Sequence, residues 1–267
     1  MVLNKQAKSL YDLKKSNYLT NKNFFEKFLE RLGKPFDDYL EINIKNSEFY
    51  TINYLDNHIG FFSILEEKYL TSFYIPDSLL SHGQEIFKLI LSMFDVELML
   101  VTSFDEISLC LVMDYVSKIK THYIYFKLNS LPVRKAEYPS KNFRKAEIED
   151  ISSIKKYTQN FIDGHEERIL KNQLFILEDD NKSFLGLAVM IPHSIQKGIC
   201  SFGIYVREES RNISVGRSML LHITKEAEKM NLTPRCACPM SNDIYRKTLE
   251  SGGFVSESRL FIAYLKQ

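Results

Sequence analysis

Cysteine is scarce in this chain, with four in 267 residues, which is too few for the disulfide scaffold of a small secreted domain. Charge of either sign is not in excess. Thirty-five Lys and Arg face 34 Asp and Glu, so there is no global electrostatic footprint for nucleic acid or for an anionic membrane surface. No apolar run approaches the roughly 18 to 20 residues of a membrane span. The opening Met1-Val-Leu-Asn-Lys-Gln-Ala-Lys8 lacks the apolar core of a signal peptide. Cys236-Ala-Cys238 has no second Cys or His pair at zinc spacing, so no metal is expected. The Gly-Lys-Ser/Thr of a nucleotide P-loop is missing too. These absences leave a reduced, cytoplasmic, enzyme-sized protein as the expectation, with Cys110 and Cys200 as small core residues.

The length suits one large domain or two of about 130 residues, each able to bury a core. In the N-terminal half, Leu10 and Leu13 open a helical segment. Phe25, Phe28, Leu29 and Leu32 repeat at helical spacing until Gly33, with Pro35 just beyond. Strands are expected at Tyr39–Ile44, Phe49–Tyr54, Ile59–Leu65 and Leu70–Ile75, from their Ile, Tyr and Phe content and the polar turns between them. A helix over 78–94, a buried strand over 96–102, a helix from Glu106 to about Lys118 and a strand at Tyr123–Lys127 follow. Residues 131–141, proline-bearing and without apolar period, read as a linker between a domain 1–130 and a domain 142–267.

The C-terminal half runs short strand, helix (about 149–161), polar turn, then strands at 173–178, 184–191 and 198–206. A helix to about Met230, a strand at Thr233–Cys238, a helix at Asp243–Glu250 and a strand at Ser258–Leu265 complete it. The two halves share an order. Ile59-Gly60 corresponds to Leu185-Gly186, Tyr74-Ile75-Pro76 to Tyr205-Val206-Arg207, and Tyr123–Phe126 to Phe261–Tyr264, at an offset of roughly 125 to 138 residues. A repeat of that length means duplicated domains rather than a solenoid.

The junction after Val206 carries the strongest functional signal. A strand ends in a polar turn, and a helix starts near Ser214 with Val215, Met219, Leu220, Ile223 and Ala227 on one apolar face. The free N–H groups of a helix's first turn, with the positive end of its dipole, form an anion site. Arg211 and Arg217 flank that turn with no acid between them.

The stretch Arg211-Asn-Ile-Ser214-Val-Gly216 resembles the phosphate-binding signature of the GNAT N-acetyltransferases: Arg or Gln, two residues, Gly, one residue, then Gly or Ala. It departs at Ser214. Ile204-Tyr-Val206 is similar to the end of the family's fourth strand, and Asn242 through Gly252-Gly-Phe254 to its later CoA-contacting helix. The resemblance covers about 143–265. It implies an α/β (α+β) fold of tandem GNAT-like domains, each a mixed, mostly antiparallel sheet flanked by helices. It also implies acetyl-CoA as acyl donor, a small-molecule amine as acceptor and direct attack on the thioester. Ile204 and Val206 would serve the pantetheine and oxyanion, and Arg211, Asn212, Ile213, Ser214, Val215, Gly216, Arg217 and Asn242 the CoA phosphates and arm. The N-terminal counterpart, Ile75 to Gln84, has no Arg, and its Asp77 would repel pyrophosphate, so that half is expected to be a degenerate copy.

Many family members carry a proton-donating tyrosine seven residues after the Asn, where this chain has Leu249; Tyr245, one turn earlier, is the stand-in. The glutamate base of some members falls near Cys200, a core position. His165 or Glu166, in the polar cluster Asp163 to Arg168, is the candidate to take the amine proton. Two readings compete with the enzyme: a CoA-binding sensor or scaffold without turnover, and an interaction module that has lost CoA altogether. Nothing in the sequence fixes the oligomeric state or the acceptor.

Overall fold

The computed structural model describes residues 10–129, 134–159 and 161–266. In chain order its elements are β1 (Tyr11–Ser16), α1 (Tyr18–Leu32), α2 (Asp38–Asn46), β2 (Glu48–Tyr54), β3 (Asn57–Leu65), β4 (Tyr69–Tyr74), α3 (Gly83–Met93), β5 (Leu98–Thr102), α4 (Glu106–Met113) and β6 (Val116–Leu128). Then come β7 (Phe143–Lys145), α5 (Ile151–Thr158), α6 (His165–Leu170), β8 (Leu174–Glu178), β9 (Phe184–Pro192), β10 (Ile199–Val206), α7 (Val215–Lys229), β11 (Thr233–Pro239), α8 (Asp243–Ser251) and β12 (Phe254–Leu265).

The described residues form two compact units, one within 1–122 and 258–267 and the other within 123–257. The first has strands in the order β1-β2-β3-β4-β5-β12, all antiparallel except β4 with β5. The second has β7-β8-β9-β10-β11-β6, all antiparallel except β10 with β11. Each is thus a mixed sheet flanked by helices. The last strand of each unit comes from the far side of the expected boundary: Leu260–Tyr264 pairs with β5, and Tyr123–Lys127 pairs with β11. A single cut at 131–141 therefore does not separate the units, and of that stretch 131–133 lies outside the described residues.

The helix expected to reach about Lys118 ends at Met113, with β6 starting at Val116, and two further elements differ from expectation for physical reasons. Residues 11–13 belong to a strand, because Tyr11 and Leu13 are buried in alternation, a period of two. Residues 39–44 lie in a helix: Asp37 caps it by accepting from the Leu40 N–H, and Leu40 and Ile44, four apart, are the buried pair. Cys110, expected in the core, is exposed, since α4 turns Ser108, Leu111 and Val112 inward instead. Gly33 ends α1 as expected, in the left-handed region at φ 62° with its N–H bonded to the Leu29 carbonyl.

Candidate active site

The site begins where two parallel strands part. β10 and β11 pair only over Ile199–Ser201 with Thr233–Arg235, although both run on for several more residues. On its other edge β10 stays paired with β9 as far as Val206. The Arg207 N–H bonds to Leu185 on that side, and in an antiparallel strand this direction alternates. Phe202, Ile204 and Val206 therefore turn their N–H and C=O groups away from β9. The carbonyls agree: that of Phe202 accepts from Tyr245 and Cys236, and that of Val206 from Arg211 Nε at 3.3 Å.

A cleft of about 890 Å³ opens at this divergence, within the second unit. Ile204 and Val206 line one side, and the turn after β10 lines the end through Arg211, Asn212 and Ser214. The first turn of α7 follows with Val215, Gly216 and Arg217, and α8 adds Asn242 and Tyr245. The first α-helical bond of α7 runs from Ser218 N–H to Ser214 C=O, so the N–H groups of 215–217 have no intrahelical partner. All five residues expected on the apolar face of α7 are buried, which fixes its axis against the sheet and aims its N-terminus at the cleft.

Ser214 stands in the left-handed region at φ 66°. That conformation explains why the resembling signature has glycine there: only glycine adopts it without strain. The Ser214 side chain makes no cap bond to α7. Ser214 Oγ instead accepts from Arg217 Nη2 at 2.8 Å. Arg217 is only 10% exposed, its Nε is buried without a partner, and the exposed Glu137 carboxylate lies 3.5 Å from its Nη2. Gly216 allows a close approach, because a Cβ there would stand 2.9 Å from Thr248 Cγ2 on α8. Asn242 caps α8, its Oδ1 accepting from the Tyr245 N–H at 3.0 Å.

Of the three residues expected to do chemistry, only Tyr245 reaches the cleft. Its hydroxyl is 2.7 Å from Cys236 Sγ. His165 and Glu166 form the first turn of α6 and are not among the cleft-lining residues; Phe161 lines the cleft from that part of the chain. Burial, with Lys155 and Arg168 nearby, holds the His165 imidazole below its usual pKa, and its Nε2 is buried without a partner. Leu249 is fully buried in the core. Cys200 is fully buried and its thiol is pushed up to about 12, so it is no base. Burial raises Cys238 to about 11, and among the described residues no group of three His, Cys, Asp or Glu could hold a metal.

Sequence reasoning missed Lys247, Thr248 and Ser251, which also line the cleft. The signal was available, since Ile244, Lys247, Thr248 and Ser251 recur at i, i+3, i+4 and i+7 on a helix already read as CoA-contacting. The Arg31 guanidinium donates to the Ile75 carbonyl at 2.8 Å and stacks 4.4 Å over Tyr74, and Asp77 sits beside it at 3.7 Å.

No helix among the described residues is long and apolar enough to cross a membrane. Residues 17–129 match the model of the acetyltransferase (GNAT) domain, so the sequence-level match falls mainly on the first unit and not on the half carrying the signature-like stretch at 211–216. No curated protein matches the chain in sequence. Among solved structures, the chain is similar to an acetyltransferase from the GNAT family of Colwellia psychrerythraea, at 17% identity, TM-score 0.84, and 96% of this chain against 100% of that one. A GCN5-related N-acetyltransferase from Sphaerobacter thermophilus is similar at 9% identity, TM-score 0.64, and 96% against 95% coverage. A tandem GNAT protein from the clavulanic acid biosynthesis pathway follows at 8% identity, TM-score 0.52, and 96% against 98% coverage. The chain therefore has the GNAT α/β fold, a mixed sheet flanked by helices.

Proposed function

We propose that this chain is an acyl-CoA-dependent N-acyltransferase that passes acetyl from acetyl-CoA to a small amine, with its active site in the second unit. The observation that carries the reading is the cleft at the β10–β11 divergence, closed at one end by the α7 N-terminus with Arg211 and Arg217. Backbone N–H groups and a buried guanidinium suit a pyrophosphate. The outward-turned edge of β10 offers main-chain groups to a pantetheine arm and donors to a developing oxyanion.

In this reading the amine nitrogen attacks the thioester carbonyl, the tetrahedral oxyanion collapses, and the C–S bond breaks. One proton leaves the nitrogen for solvent, and one reaches the CoA thiolate from the Tyr245 hydroxyl, which regains it from solvent. No Asp, Glu or His is among the described residues lining the cleft, so the acceptor must arrive as the neutral amine.

The first unit reads as a second copy of the same fold without the phosphate cradle. Support comes from a shared element order and a shared close contact. A Cβ on Gly60 would stand 2.1 Å from the Tyr74 carbonyl oxygen, and one on Gly186 2.5 Å from that of Tyr205. The competing reading, a CoA sensor without turnover, is favoured by the buried leucine at 249.

The test mixes pure protein with acetyl-CoA and an amine panel and follows free thiol, alongside thermal melts with CoA. Acetyl-CoA should stabilise the protein in proportion to the logarithm of its concentration over Kd and be consumed with at least one amine. Arg211→Glu should abolish the thermal shift while leaving the fold intact, and unchanged CoA affinity in that variant would refute the placement of the phosphate site. Binding without release for every amine would turn the reading to the sensor.

A further inference from the structure

We propose that Lys247 seats the 3′-phosphate of CoA and makes the cleft selective for the 3′-phosphorylated nucleotide; the inference rests on the CoA reading above. Three of the described cleft-lining residues are charged, Arg211, Arg217 and Lys247, and all three are cations. Arg217 is nine-tenths buried with an unpartnered Nε and belongs to the inner end of the cleft, beside the free N–H groups of α7. With Arg211 it matches the charge of a pyrophosphate diester, which leaves one cation over.

The position of that cation is set by the contact between the helices. Thr248 abuts Gly216 in the first turn of α7, so the neighbouring Lys247 belongs to the same end of the cleft as the anion site, on its solvent rim. Lys247 is exposed and makes no ion pair among the described residues. Every charged neighbour in the cleft repels it, so burial or pairing within the chain does not account for its place there. A terminal phosphomonoester carries about −1.5 to −2 charges at neutral pH and is free to rotate. A flexible ammonium, acting as a point charge, suits such a group better than a rigid fork would. A second phosphate a ribose away from the pyrophosphate is what distinguishes CoA from its 3′-dephospho form, so the selectivity has a defined chemical readout.

The experiment is calorimetric titration of the full chain with CoA and with 3′-dephospho-CoA, for the unaltered protein, Lys247→Ala and Lys247→Arg. The unaltered protein should bind CoA about tenfold more tightly than the dephospho form, a gap of about 1.4 kcal/mol that narrows at high salt. Lys247→Ala should close the gap by weakening CoA alone, and Lys247→Arg should restore most of it. Equal affinities for the two ligands in the unaltered protein would overturn the assignment. So would a Lys247→Ala variant that weakens both equally, since Lys247 would then serve the pyrophosphate. If neither ligand binds the unaltered protein, the CoA reading itself falls and the inference with it.

Discussion

Leu249 and Tyr245 stand one turn apart on α8, and only Tyr245 lines the cleft. Its hydroxyl touches Cys236 Sγ and lies 3.4 Å from the Phe202 carbonyl, on the edge of β10 that faces the departing thiolate in the proposed reaction. Tyr245→Phe keeps the ring and its packing but removes the proton. We expect kcat to fall by about 10²-fold, the lower range for a general acid, with acetyl-CoA affinity within about twofold of the parent. Stopped-flow thiol release together with a binding titration would check both, and an unchanged kcat would remove Tyr245 from the mechanism. Residue by residue, the lining at the turn end of the cleft was readable because the stretch is local: Arg211, Ser214 and Gly216 lie within one turn and the start of one helix. The chemical end was not, because it depends on which loops reach the cleft. His165 and Glu166 form a promising polar cluster in sequence, yet the chain delivers Phe161 to the cleft and not them.

At the scale of elements, two glycines hold a strand against its neighbour in the same way. A methyl on Gly186 would meet the Tyr205 carbonyl oxygen at 2.5 Å and Met219 Sδ at 2.7 Å, and one on Gly60 would meet the Tyr74 carbonyl oxygen at 2.1 Å. Methionine can swing away, but a strand carbonyl moves only with its strand. Gly186→Ala and Gly60→Ala should each cost about 1–3 kcal/mol in urea denaturation, the usual range for overpacking. Their functional effects should differ. Gly186→Ala displaces β10, which carries Ile204 and Val206, and should weaken CoA binding severalfold, whereas Gly60→Ala should leave it unchanged. Equal loss of CoA affinity in both variants would contradict a site confined to the second unit. The same elements show where periodicity succeeds. α7 was legible because its five apolar positions all go inward. The segment 39–44 was misread because Tyr39 and Ile42, strand-like in composition, are exposed, and the buried pair is Leu40 and Ile44.

At the scale of the whole molecule, the order of the elements was largely visible in sequence but the exchange of strands between the two units was not. Tyr123–Phe126 and Phe261–Tyr264 have interchangeable apolar patterns, so nothing local says which sheet each joins. The consequence is physical. A fragment cut at the expected boundary, 142–267, lacks the strand that covers β11, and with it Ile124 and Phe126, both buried in the core with Cys236, Cys238 and Met219. Burying two such side chains contributes roughly 3–6 kcal/mol, a large share of the roughly 5–15 kcal/mol that holds an ordinary domain folded. The fragment also exposes an unpaired edge on β11 and carries 258–267 without its partner β5. The fragment 123–257 keeps its sixth strand and ends before the stretch that belongs to the other unit. It should melt cooperatively and shift with acetyl-CoA, while 142–267 should melt at least 10 °C lower or show no transition by circular dichroism. Equal melting temperatures for the two fragments would mean that β11 does not need the strand at 123–127. The boundary would then lie where the proline-bearing segment puts it, and not where the pairing does.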